Sequence, residues 1–204
     1  MTPEERHYRE LQRIIDKGNR DTYIIGGVGV AVMLVLFVVG MVFMSPCAKA
    51  DTGYDVYTAV NWLANKYHTD TIWVDEQPLE EGVYAQTRGN QIIVNSTVFN
   101  DPEALNLAMV YDLQHGYHPG WNCTAAEIVG AHEFAHALHY QTGYTARDEL
   151  AVAIDNGLSG QVSGYSFDAD GYVDIPEALA EAFTAVECDT PTDAEQYIYN
   201  LLVN

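Results

Sequence analysis

The sequence predicts an α+β domain, mostly helical with a small antiparallel sheet and preceded by one transmembrane helix. Three observations carry that reading. The 204 residues, 48% hydrophobic and 19% charged, suffice for one packed domain and a short appendage but not for two cores. Strand-like runs are confined to residues 71–95, whereas helix-period apolar patterns fill most of the rest. From Tyr23 to Met44, 22 residues pass without a charge, enough to cross about 30 Å of hydrocarbon as a helix.

In chain order, residues 1–21 carry Arg6, Arg9, Arg13, Lys17 and Arg20, and Lys49 is the only cation close behind the apolar stretch. The positive-inside bias therefore puts residues 1–21 in the cytoplasm, a membrane helix at 22–44, a linker at 45–53 and a domain at 54–204 outside. Ala48-Lys49-Ala50 is also a pattern that signal peptidase cuts, so secretion after Ala50 is the alternative, although the leader and apolar core are long for a signal peptide. Pro46 before Cys47 does not look like a lipid-attachment site.

Tyr54 to His68 spaces Val56, Ala59, Val60, Leu63 and Tyr67 as a helix, and Thr71 to Asp75 reads as a strand. Val83 to Thr87 and Gln91 to Asn95 flank Arg88-Gly89-Asn90 as a hairpin. Asp101-Pro102-Glu103 opens a helix to Gln114, followed by the loop His115 to Cys123. Thr124 to Glu127 is a capping box and Gly143 a stop, which bracket a helix from Ala125 to Gln141. Further helices are expected at Asp148 to Asn156, Pro176 to Val186 and Asp193 to Leu202, with a Gly- and Asp-rich loop before the second of these. There is no internal repeat.

Residues 51–204 hold 3 of the 9 Lys and Arg but 24 of the 29 Asp and Glu, a formal charge of −21. Such a surface repels phosphate backbones and excludes nucleic acid as a partner; basic segments or metal cations fit it, and so does plain solubility in a salty medium. Cys123 and Cys188 are the two cysteines of the outer domain, and there they either pair or stay as two buried thiols.

The chemistry sits in His132-Glu133-Phe134-Ala135-His136, an H-E-x-x-H sequence inside the capped helix. One turn apart, His132 and His136 project from one face and can both offer nitrogen to a single Zn²⁺, with Glu133 beside them as general base. The plain alternative is a helical His pair on a surface. His139 is two turns from His132, about 10 Å along the axis and too far to share the ion, so it reads as a rim residue. A third ligand is expected from another helix, where Glu177-Ala178-Leu179-Ala180-Glu181-Ala182-Phe183 offers two carboxylates one turn apart.

On the HEFAHAL run and on EALAEAF about 40 residues later, the chain resembles gluzincin metallopeptidases. The likeness is to the anthrax lethal-factor type of catalytic domain and to small metalloproteases attributed to actinobacterial phages. The resemblance spans roughly residues 83 to 186 and implies a zincin-like domain around an active-site helix. It also implies Glu177 as the third zinc ligand, Glu181 as a group orienting a histidine, and a tyrosine ahead of the third ligand that stabilises the oxyanion. Tyr165 and Tyr172 are the candidates for that tyrosine, both off the family's spacing. The resemblance further implies an edge strand that pairs with an extended peptide, for which Gln91 to Asn95 is the candidate, the plain alternative being an ordinary half-buried strand.

Rival readings of Glu177 stay open. Ser166 to Glu177 follows an EF-hand template at Asp168, Asp170, Gly171, Asp174 and Glu177, although Ser166 opens it and Gly157 to Gly164 cannot supply the entering helix. Calcium held by Asp168, Asp170 and Asp174 without Glu177 is a second possibility. A third is that Asp174 to Glu177 only caps a helix and Glu181 is the ligand. His115, His118 and Trp121 border the motif in sequence with no chemistry assigned.

The sequence thus leads to a membrane-anchored, extracytoplasmic zinc endopeptidase acting on peptide or protein substrates. The alternatives are a catalytically silent surface protein binding zinc or calcium, and a peptidase acting on cell-wall peptides.

Overall fold

The computed structural model describes residues 52–155, 158 and 162–204. The cytoplasmic segment, the membrane helix and the cleavage site expected before residue 51 lie outside the described residues. Among the described residues no helix is long and apolar enough to cross a membrane.

The fold is built on the helix that the capping box starts. Thr124 Oγ1 accepts the Glu127 amide and Glu127 Oε2 accepts the Thr124 amide, which satisfies two donors at the helix start. Numbered in chain order, the helices are α1 (Gly53–Tyr67), α2 (Ser96–Phe99), α3 (Pro102–Gln114), α4 (Ala125–Gln141), α5 (Thr145–Asp155), α6 (Ile175–Cys188) and α7 (Asp193–Val203). A 3₁₀ turn at Gly164–Ser166 lies between α5 and α6. Helix α4 runs through the centre with twelve of its 17 residues buried. Gly130 lets α1 approach it closely: a Cβ there would stand 3.0 Å from the Ala59 Cβ. On the other side Phe134 packs against Phe183 of α6, ring centroids 5.5 Å apart, and Tyr67 of α1 closes the cluster at 5.8 and 5.2 Å from those rings. Cys123, just before α4, forms a disulfide with Cys188 at the end of α6, so the two helices are cross-linked.

The sheet corrects two expectations. Its strands β1 (Trp73–Gln77), β2 (Ala85–Arg88) and β3 (Gln91–Asn95) lie in the order β1-β3-β2. Only the β2–β3 pair is antiparallel; β1 runs parallel to β3, with Trp73 opposite Gln91, so the sheet is mixed. The tight β2–β3 turn, with Gly89 at φ 61°, reverses the chain once and leaves β3 pointing along β1. The second correction concerns Gln91 to Asn95, which is the central strand rather than an edge. Ile92, Ile93 and Val94 are 0, 4 and 0% exposed, and a run buried on both faces belongs between neighbours. The edge next to α4 is β2.

Candidate metal centre

His132 and His136 project from one face of α4, and their Nε2 atoms face each other at 3.1 Å. Helix α6 crosses beside them and brings Glu177 from its first turn. Glu177 Oε2 lies 3.1 Å from His132 Nε2 and 3.6 Å from His136 Nε2. That oxygen is buried and has no hydrogen-bond partner. Three lone-pair atoms pointed at one another repel unless a cation, a proton or a metal, lies among them. The separations also suit a metal: ligands 2.0–2.1 Å from a tetrahedral Zn²⁺ stand about 3.3–3.4 Å apart. Two imidazoles and one carboxylate are donors zinc takes, and three protein ligands leave a fourth position for water or substrate.

Behind these atoms Glu181, 0% exposed, braces the site. Its Oε1 accepts His132 Nδ1–H at 2.8 Å and His118 Nδ1–H at 2.8 Å, and its Oε2 accepts the Ser163 hydroxyl at 2.6 Å. A carboxylate there fixes His132 in the tautomer with the proton on Nδ1 and the Nε2 lone pair free. Glu181 has both oxygens engaged in this way, whereas Glu177 is the carboxylate beside the two Nε2 atoms.

Charge follows the geometry. Burial, the largest single influence, disfavours the Glu181 carboxylate, yet the charge and hydrogen bonds of His118 and His132 together hold its pKa down at about 2. Glu177 shows the same contest: burial pushes up, His132 and His136 together push further down, and the carboxyl stays well below its usual range. For His132 burial opposes the charged ring, but the neighbouring carboxylates of Glu177 and Glu181 raise it well above the ordinary value. Without a metal, protons are drawn into the site.

Glu133 stands on the same helix, 7% exposed, and its Oε2 accepts the Thr87 hydroxyl of β2 at 2.6 Å. Of the two candidate tyrosines, Tyr165 is at the site, its ring 4.7 Å from that of His118 and 5.7 Å from that of His132. Tyr172 is 73% exposed on a turn. The acidic residues around it do not converge. Asp168 Oδ1 accepts the amides of Asp170 and Tyr172, the backbone closes the turn through Asp168 and Tyr172, and Phe167 bridges Val173. Among the described residues, the groups of three metal-binding side chains with ligand atoms within 4.8 Å of one another are His132, His136, Glu177 and His118, His132, Glu181. Asp168, Asp170 and Asp174 form no such group.

His139 corrects another expectation. It is 3% exposed rather than on a rim, its ring set edge-on to Tyr144, and burial pushes its pKa down.

Three residues at the centre carry no signal in the sequence: His118, Ser163 and Thr87. Each reaches Glu181 or Glu133 by tertiary folding across 18 to 63 positions, where no periodicity operates. Comparison with family models, curated proteins and solved structures finds no match to this chain.

Proposed function

We propose that this chain is a zinc-dependent endopeptidase, held in a membrane by residues 22–44 with its catalytic domain, residues 54–204, outside. The observation that carries the reading is the convergence of His132 Nε2, His136 Nε2 and the unbonded Glu177 Oε2, with Glu133 beside them on α4. His132, His136 and Glu177 would hold Zn²⁺, which when bound would supply a Lewis acid and bring the pKa of a water toward about 7.

The chain's own residues do the rest. Glu133 accepts a proton from the attacking water and returns it to the leaving amine. Tyr165, whose ring lies beside those of His118 and His132, donates its hydroxyl to the carbonyl oxygen as negative charge develops there. Glu181 keeps His132 in the ligating tautomer. The substrate strand belongs on β2. Asn95 donates its amide to the Tyr84 carbonyl, which makes 84/95 and 86/93 the bonded pairs of the ladder and turns the N–H and C=O of Ala85 and Thr87 outward from β3. An extended peptide adding to that edge runs past α4 and Glu133. The acidity of the domain favours basic segments in the substrate.

The test is zinc content together with peptide-library cleavage by the full-length protein, the parent set beside Glu133→Gln and Glu177→Ala. One zinc per chain, cleavage lost in Glu133→Gln with zinc retained, and zinc weakened in Glu177→Ala are the expected results. A zinc-free protein that cuts nothing, or full zinc occupancy in Glu177→Ala, overturns this assignment.

A further inference from the structure

We propose that Thr87 is a positioning residue for Glu133, a role that rests on the peptidase reading above. The Thr87 hydroxyl stands 2.6 Å from Glu133 Oε2 and 3.0 Å from the Glu133 backbone oxygen. It has one proton to give. The shorter contact falls in the range of charge-assisted O–H···O⁻ bonds, and the backbone oxygen of a mid-helix residue already accepts an amide of its own helix, so the proton goes to the carboxylate.

That bond does two things to the base. It fixes the rotation of a carboxyl that would otherwise turn freely about its last torsion, where side chains have broad, shallow preferences. It also occupies Oε2, so Oε1 is the oxygen left to take a proton. Thr87 can do this because β2 presents Ala85 and Thr87 toward α4 and Gln86 and Arg88 toward solvent, a burial alternation of period two.

The same residue faces the peptide with a different part of itself. Its side chain reaches α4 while its main-chain N–H and C=O point outward from β3 at the edge where the substrate strand adds. Changing the side chain leaves that main chain in place. Thr87 therefore acts on the rate of the chemical step and not on docking, which separates it from a residue that merely packs.

The experiment compares full-length parent, Thr87→Val, Thr87→Ala and Thr87→Ser for kcat, KM, zinc content and unfolding temperature. Outer groups that orient a reacting residue are typically worth 10–100-fold. A fall in kcat of about that size is expected in Val and Ala, with KM and one bound zinc unchanged and with most of the activity restored in Ser. Parent-like kcat in Thr87→Val overturns the role and leaves the peptidase reading standing. So does a Thr87→Ser variant as slow as Val, or a loss that follows unfolding temperature across the series rather than the hydroxyl. A parent that binds zinc and cleaves no peptide overturns both.

Discussion

Two regions of this chain are rich in metal-binding side chains, and they end up differently. On α4 and α6, His132, His136 and Glu177 meet at 3.1 to 3.6 Å with a buried carboxylate oxygen unbonded. On the turn before α6, Asp168 spends its carboxylate on two amides of its own loop, and Asp170 and Asp174 do not join it. Composition alone favours the turn, which has more acid per residue. What decides is where the backbone is held. Helices satisfy their own amides and carbonyls, so their side chains are free to converge on something else; a tight turn recruits nearby carboxylates to do the backbone's work.

The strongest way to break that contrast is to loosen the helix pair. The Cys123–Cys188 bond closes a loop across 65 positions, and losing a cross-link of that span costs about 4 kcal/mol in the chain-entropy account. Reduction, or Cys123→Ser with Cys188→Ser, is expected to lower the unfolding temperature and to weaken zinc binding along with it. Chemical denaturation and a zinc-competition assay read the two effects. Unchanged zinc affinity in a folded reduced protein would mean that the ligands hold themselves in place.

Next in size is the brace behind His132. Glu181→Gln keeps the shape but loses the charge that orients two imidazoles, and a 10–100-fold drop in zinc affinity is expected. If the drop equals that of Glu177→Ala, the two carboxylates have not been told apart.

Acid sharpens the comparison further. Glu181 has a pKa lowered from 4.5 to about 2, so in the metal-free fold it contributes stability that is complete above about 4.5. That contribution is lost as the pH falls toward about 2. Urea melts of metal-free parent and Glu181→Gln should converge across that window, and parallel curves would show that Glu181 is not the group responsible.

The smallest effect is expected at the turn. Asp168→Ala removes one carboxylate oxygen that accepts two amides near the surface and should cost about 1 kcal/mol, with zinc content and cleavage rate unchanged. Loss of zinc in that variant would join two regions that the geometry keeps apart.

Much of this architecture is legible in the residues alone. The capping box and Gly143 bracket α4 at Ala125 and Gln141, where the helix in fact runs, because caps are local chemistry. The i, i+4 spacing of His132 and His136 carries directly into a shared face. The strand region is less transparent. Ile92-Ile93-Val94 is an unbroken apolar run, the mark of a strand flanked on both sides, yet the turn residues beside it fit a plain hairpin equally well and say nothing of a third strand. Helix α5 starts at Thr145, three residues before the expected Asp148, because Tyr144, at φ 62°, turns the chain directly into it. His118 and Thr87 are illegible for a physical reason. A side chain that completes a site from another element obeys no spacing rule, and only the packing of β2 and the 115–123 loop against α4 and α6 brings them in.

The cross-link between α4 and α6 also sets an order of events. A chain still in a reducing compartment keeps Cys123 and Cys188 as separate thiols, so the helix bearing the histidines is not yet tied to the helix bearing Glu177. On the proposed reading, oxidation comes before tight metal capture. If the peptidase reading holds, the bond between two sulfur atoms would decide how firmly the metal is held, and with it when the site can work.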